Sequence, residues 1–541
     1  LNARQNHDLI KLDRQSPATL EATIPMAMTR RVFSASAVAM GAVASAGAGP
    51  LAVRGVQRGA SRALPARFGG FNTPVMWDIP YEDPRLRPLV SALRPALLRF
   101  PGGTIANYWN WRTGRVEVGA DMMGNFAVGA RKAPELHPEG ASFEDFNAFS
   151  RAVGAETILV LNLETSSVDD QVAWIKRLAD AGVAPSRIEM GNEFYFEPLA
   201  AMGSGRPAKT PSQTQALETS RQFAAAIAPY APNARIAVQS SGSRYSQGDR
   251  MARVMAPFDD QLADESWFHA VTWHIYPEIS STMGLELPIG GAVRADMPER
   301  FRSASFLSAA DAELALTALL ARVEEGSRRQ AAFLRAKLPD KEVWVTEWGT
   351  GENLAYYRGE RPVVTGLWIH VLARQLMCLL REPNVAMALN HSLYMDGLAW
   401  SCVRREDSER QYRPIGAYDV FRWFDQAANA GQGGAVRLVE LAIEGARPAR
   451  GGGPANESFT DLMALAFETD GHSTWIVHNT SLQSARLDLA ALSGRGPLVA
   501  EAMTTPLLVE PFSFHIPDIA RVSLDGAAAT LPPRSLTRIV T

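Results

Sequence analysis

Beyond residue 66 the chain alternates short apolar runs that end in polar residues with longer stretches of helical period, and this alternation constrains the fold more than any other feature. An apolar run too short for a helix needs a sheet to bury it. A helix-length amphipathic stretch after each run is what a crossover between parallel strands requires. Eight runs fit this description, at 68–75, 96–103, 157–164, 187–194, 235–241, 270–277, 342–349 and 385–394. Helices are expected between them at 143–153, 167–181, 212–228, 309–336 and 363–380. Eight such units over roughly 360 residues have the size of a (β/α)8 barrel, the TIM barrel, with insertions.

A last helix is expected near 418–428, and after Gly431 the pattern changes. Glycine-rich punctuation at 431–434 and 451–454 gives way to short alternating strands at 462–468, 473–478 and 485–489, the form of an all-β sandwich of roughly 110 residues. The expected organisation is a leader over 1–46, a catalytic barrel over 47–430 and a β-sandwich domain over 431–541, with 47–66 adding a strand to the sandwich. The segment 278–302 is too long for an ordinary strand-to-helix connection and is expected at the active-site face.

Composition narrows the partners. Net charge is −3, which gives no electrostatic reason to expect nucleic acid or an anionic membrane, so a neutral or mildly charged partner is expected. The oligomeric state is left open. Only Cys378 and Cys402 are present, too few for a disulfide scaffold or a zinc cluster; they are either two buried thiols or one bridge. No phosphate-binding glycine loop, nucleotide fingerprint or His-Glu-x-x-His motif occurs, so neither cofactor nor metal is implied. Near the N-terminus, Met28 precedes Arg30-Arg31, Phe33 and an alanine-rich apolar run ending in small residues at Ala44 and Ala46. That order resembles a twin-arginine export signal, with Met28 as the start and a periplasmic or extracellular destination.

Two apolar runs end on glutamates, in Ile188-Glu189-Met190-Gly191-Asn192-Glu193 and in Trp344-Val345-Thr346-Glu347-Trp348-Gly349. Barrel active sites lie at the C-terminal strand ends, so both carboxyl groups would enter one pocket, from strands 4 and 7. Glycoside hydrolysis needs such a pair: one carboxyl protonated for the leaving oxygen, the other ionised to attack the anomeric carbon or activate water. Glu193 is the candidate acid/base and Glu347 the candidate nucleophile. Arg99, in Leu98-Arg99-Phe100-Pro101-Gly102-Gly103, is too costly to bury unpaired. It is expected to face a carboxylate, Glu347, unless it serves a purely structural pair. In Trp273-His274-Ile275-Tyr276-Pro277, Tyr276 would hydrogen-bond Glu347 and His274 would line the same wall or the core. Asn192 would offer an amide to a sugar hydroxyl or cap the strand end. Several aromatic residues stand near strand ends, among them Tyr108, Trp109, Trp111, Trp273, Trp348 and Tyr394, numerous enough to offer stacking platforms for sugar rings, and Tyr195 in the cluster after Glu193 is the best stacking candidate. His391, closing strand 8, belongs either to the pocket or to the core.

With these residues in this order, the chain resembles the large clan of retaining (β/α)8 glycosidases in which an Asn-Glu pair on strand 4 is the acid/base and a Glu on strand 7 the nucleophile. The likeness runs from residue 68 to the end, since a C-terminal all-β part is also common there. Its strongest local form is with α-L-arabinofuranosidases. Residues 99–111 align without a gap to their strand-2 motif, ending in Trp109-Asn110-Trp111, and Thr346-Glu347-Trp348 stands near their Asp-Glu-Trp. Thr104 stands where that motif has Asn, and no acidic residue between Arg67 and Trp77 replaces their strand-1 sugar-binding Glu. The resemblance implies double displacement on a carbohydrate. It leaves the glycone open among arabinofuranosides, β-xylosides, heparanase-like β-glucuronides and glucosylceramidase-like substrates. A glucuronide carboxylate would call for cations such as Arg244, Arg294 or Arg302. A non-catalytic glycan-binding protein, or a lyase or inverting hydrolase on the same fold, are the alternatives.

Overall fold

The computed structural model describes residues 52–73, 75, 81, 83–117, 139–194, 213–241, 258–277, 309–349, 366–394, 401–406, 411–414, 417–430, 435–451, 457–492, 498–505 and 517–541. The export-signal segment, the 278–302 segment, Tyr195 and the three arginines 244, 294 and 302 lie outside the described residues.

Eight parallel strands close into a barrel in chain order: Gly69–Asn72, Leu97–Phe100, Glu156–Leu161, Arg187–Met190, Arg235–Gln239, Ala270–Ile275, Glu342–Trp348 and Val385–His391, the last pairing back onto the first. These are barrel strands 1 to 8 below. Alternation sorts their side chains. Leu97, Ile158, Ala237, Ala270, Trp344, Met387 and Leu389 point inward and fill the barrel with large residues set against small ones. Leu98, Phe100, Ile188, Val271 and Val345 belong instead to the core packed by the surrounding helices.

Two of these helices show why the chain turns where it does. Ser142 caps Phe143–Ala152 by accepting from the Asp145 amide, and Ser167 caps Val168–Asp180 by accepting from the Asp170 amide. Acidic residues fill both first turns, complementing the helix dipole. Strand 4 is shorter than the apolar run suggested. It stops at Met190 because Gly191 and Glu193 adopt φ of 72° and 57°, which takes the chain out of the ladder.

The C-terminal part is a two-sheet sandwich. One sheet has seven strands, in the order Val56–Ala63, Arg437–Ile443, Leu462–Thr469, His472–Asn479, Ser535–Val540, Val499–Thr504 and Asp518–Arg521; the other has four, including Ala485–Asp488 and Ala528–Leu531. Val439, Ala464, Ala466, Trp475, Val477 and Ile539 face the second sheet, around Leu487 and Leu531. The alternate residues Leu438, Leu465, Phe467, Ile476 and Leu536 join the core of the barrel's helices. The larger sheet is therefore buried on both faces, which explains the unbroken apolar run in Leu462–Thr469.

Helix Gly366–Arg381 lies between strand 8 and this sheet and is buried all round up to Leu380. It carries a polar chain across the junction. Arg374 Nε donates to His478 Nδ1 (3.3 Å), His478 Nε2 meets His370 Nδ1 (3.0 Å), and His370 Nε2 meets Thr505 Oγ1 (2.8 Å). The two imidazoles stack 5.3 Å apart. Cys378 on the same helix and Cys402 are both free, buried thiols, so the bridge does not form.

Candidate active site

Arg99 is the centre of the barrel mouth. Strand 2 alternation turns it inward between Leu98 and Phe100, with no exposure. Its guanidinium donates to four groups. Nε and Nη2 hold both oxygens of Glu189 (2.7 and 2.9 Å), Nη1 holds Glu347 Oε1 (2.6 Å) and Asn72 Oδ1 (3.1 Å), and Nη2 holds Asn192 Oδ1 (2.9 Å). The pairing with Glu347 is the one the sequence suggested. The fork-to-fork pair with Glu189 is not, although Glu189 sits at the inward position of strand 4 between outward Ile188 and Met190. A buried acid at an inward position needs a cation, and that signal could have identified it. The two carboxylates keep Arg99 charged: burial opposes its charge, and Glu189 and Glu347 more than offset it.

Glu193 stands beyond strand 4 on a turn held from both sides. On one side the buried Asn107 side chain accepts from the Asn192 amide (2.9 Å) and donates to the Asn192 carbonyl (2.8 Å). On the other, Gln239 of strand 5 accepts from the Phe194 amide (2.5 Å) and donates to the Met190 carbonyl (2.8 Å). These bonds offset the cost of a left-handed φ at a non-glycine residue. Gly191 cannot be replaced without strain, since a Cβ there would lie 2.4 Å from the Phe194 ring. Asn107 lies within the 99–111 stretch without being one of its motif residues, Gln239 belongs to no motif, and both were missed by sequence reasoning.

Glu347 reaches the mouth through a break in alternation. Trp344 points inward and Val345 outward, so an even count would turn Glu347 out. Register shifts on both sides of strand 7, between Thr272 and His274 and between Val345 and Trp348, rotate it in. The same shift turns Trp348 outward, 1% exposed and edge-on to Phe421 of helix Tyr418–Ala428. The expectation that Trp348 meets substrate is thus corrected to a packing role. Trp109 and Trp273 are likewise core, and Trp111 stacks on Trp174.

Both oxygens of Glu347 accept hydrogen bonds, Oε1 from Arg99 and Oε2 from the Tyr276 hydroxyl (2.7 Å). Burial alone would raise its pKa. The cationic forms of His274 and His391, together with Arg99 and the Tyr276 hydroxyl, hold it well below the usual carboxylate range instead. Of these, burial keeps His391 below its own ordinary value, whereas the two glutamates raise His274 above its own. Burial, then Glu347, pushes the Tyr276 phenol well up, so it stays a donor.

His274 stands between the two glutamates. Its Nδ1 lies 3.0 Å from Glu193 Oε1 and 3.6 Å from Glu347 Oε2, and its Nε2 lies 3.1 Å from Thr346 Oγ1, which in turn donates to Glu189 (3.4 Å). Burial lowers its pKa, but Glu347 and Glu193 outweigh that and raise it. Oxygens of Glu193 and Glu347 and a ring nitrogen of His274 all lie within 4.8 Å of one another. That trio also has metal-ligand spacing, yet Glu347 already spends an oxygen on each of two donors.

Of the other sequence candidates, Asn192 is fully buried, and its Nδ2 has no hydrogen-bond partner among the described residues. His391 sits beside Glu347, its Nδ1 4.0 Å from Oε2. Thr104 is half-buried at the start of the 3-10 turn Thr104–Tyr108, directly after Gly103. Glu164, after strand 3, accepts from the Tyr108 hydroxyl (3.1 Å).

No protein-family model and no curated protein sequence matches the chain. Solved structures do resemble it. The GH51 arabinofuranosidase from Xanthomonas axonopodis pv. citri superposes with TM-score 0.63 at 14% identity, over 90% of this chain and 99% of that one. A family 51 α-L-arabinofuranosidase from Bifidobacterium longum gives 0.60 at 14% identity, over 91% of this chain and all of the other. A family 44 xyloglucanase from Paenibacillus polymyxa gives 0.51 at 14% identity, over 90% and 99%. At these identities the likeness establishes the barrel-and-sandwich fold.

Proposed function

We propose that this chain is a retaining glycoside hydrolase, with Glu347 as nucleophile and Glu193 as acid/base. The observation that carries the proposal is the asymmetric pair itself. Glu347 is held ionised by Arg99 and Tyr276, and an oxygen of a second carboxyl, that of Glu193, lies within 4.8 Å of one of its own and meets His274 Nδ1 at 3.0 Å. Such closeness suits retention, for which the carboxyl groups stand about 5–5.5 Å apart, better than inversion, for which they stand roughly 6.5–9.5 Å apart. In the first step Glu347 attacks the anomeric carbon as Glu193 delivers its proton to the departing oxygen, giving a glycosyl ester on Glu347. In the second, ionised Glu193 takes a proton from water, which attacks the same carbon and releases Glu347. Asn192 Nδ2, buried and without a partner among the described residues, supplies a donor for a glycone hydroxyl.

For substrate, we favour a plant or microbial oligo- or polysaccharide, with α-L-arabinofuranosides first because two of the similar structures carry that name. We also read residues 28–46 as an export signal, which would bring the enzyme to polymers outside the cytoplasm. A panel of nitrophenyl arabinofuranoside, xyloside, glucoside and glucuronide tests the glycone. Trapping with the matching 2-fluoro glycoside, followed by peptide mass mapping, tests the mechanism: the label belongs on Glu347. Hydrolysis with no label, and an inverted product by NMR, would refute retention.

A further inference from the structure

Asn72, which closes strand 1, was not a sequence candidate, yet it is wholly buried between Arg99 and His391. Its two polar atoms can be told apart. A guanidinium only donates, so the atom 3.1 Å from Arg99 Nη1 is the carbonyl oxygen, and the amide nitrogen faces His391 Nδ1 at 2.5 Å. Strand register sets the three residues side by side, with Asn72 opposite both Arg99 and His391. The strand-2 turn packs close against this amide because it carries no side chains there: a Cβ on Gly102 would lie 2.4 Å from Asn72 Oδ1, and one on Gly103 3.7 Å from both Asn72 Nδ2 and His391 Cε1.

An amide nitrogen only donates, so His391 Nδ1 must accept, and the ring's proton sits on Nε2. This matters because Nδ1 is also the nitrogen that lies 4.0 Å from Glu347 Oε2. Were it protonated, a small shift would give the carboxylate a third donor besides Arg99 and Tyr276, and each donor that grips a nucleophile in the ground state opposes its attack. We infer that Asn72 is a positioning residue that locks His391 as the Nε2–H tautomer and so keeps it from donating to Glu347. Burial and the nearby Arg99 and His274 also disfavour the imidazolium, against the pull of Glu347 and Glu193.

The inference rests on the glycosidase reading for its kinetic arm only. Long-range proton–nitrogen NMR of the full chain, labelled with 15N-histidine and assigned with His391→Gln, reads the tautomer directly. Nε2–H at neutral pH is expected; Nδ1–H or an imidazolium overturns the inference. In Asn72→Asp the donor becomes an acceptor, so His391 should gain a proton on Nδ1 and titrate at higher pH. Then kcat should fall on the order of tenfold, the kinetic equivalent of one hydrogen bond, while KM changes less. An unchanged His391 spectrum or an unchanged kcat overturns it. Should Asn72→Asp fail to fold, the wild-type spectrum still decides. Absence of hydrolysis on every glycoside would count against the glycosidase reading and leave the tautomer measurement to settle this one.

Discussion

Acid should destabilise this protein through His370 and His478 at the junction of barrel and sandwich. The hydrogen bonds there run one way. Arg374 only donates, so His478 accepts on Nδ1 and donates from Nε2 to His370 Nδ1, leaving His370 Nε2 to donate to Thr505. Only two neutral imidazoles satisfy that chain, and a proton added to either sets two N–H groups against each other. Burial first, then the charges of Arg534 and Arg374, push His370 down to about 3. Burial, Arg374, His370 and Arg534 put His478 well below its ordinary value. Glu313 faces Arg534 and Glu324 faces Arg374 as counter-charges. As pH falls below about 6.5 the unfolded chain gains a proton on each imidazole that the folded chain refuses, so stability falls with pH. The slope is ~1.4 kcal/mol per pH unit per histidine, or about 4 kcal/mol for both by about pH 5, against a total of about 5–15 kcal/mol. Urea midpoints of the wild type and of His370→Gln/His478→Gln, measured from neutral pH to about pH 5, test this. The variant starts lower but should lose far less on acidification. If both lose stability in parallel, the reasoning is refuted.

Glu193→Ala should flatten the basic limb of the pH profile and harm substrates with poor leaving groups far more than activated nitrophenyl ones, which barely need the proton; equal loss on both would move the acid role elsewhere, with Glu164 next in line. Glu347 acts ionised and its pKa is depressed, so kcat/KM should persist below the usual carboxylate range until the fold itself fails; initial rates after brief acid exposure separate the two. Glu189→Leu strips Arg99 of its bidentate partner and should cost roughly 3–5 kcal/mol, read as a large drop in melting temperature; a near-unchanged melting temperature would show that Glu347 alone suffices. Truncation after residue 430 should give insoluble protein, because it bares the apolar surface that covers Leu438, Phe467 and Ile476; a soluble, active barrel would show the sandwich to be dispensable.

The sequence by itself determined the architecture, since periodicity is a local property. Short apolar runs before amphipathic helices can only be strands of a parallel sheet, and their polar ends mark the mouth of the barrel. It also pointed to Arg99 and Tyr276 as partners of Glu347, because a buried cation and a buried carboxylate each demand company. Barrel closure decided the rest. Asn72, Asn107 and Gln239 carry no charge and no motif, and they matter only because closure brings them to His391, Asn192 and Phe194, residues far away in the chain. Nor could alternation alone have turned Glu347 inward and Trp348 out, since strict period-two counting assigns them the reverse. That exchange comes from register shifts against strands 6 and 8, a property of how neighbouring strands pair rather than of strand 7 itself.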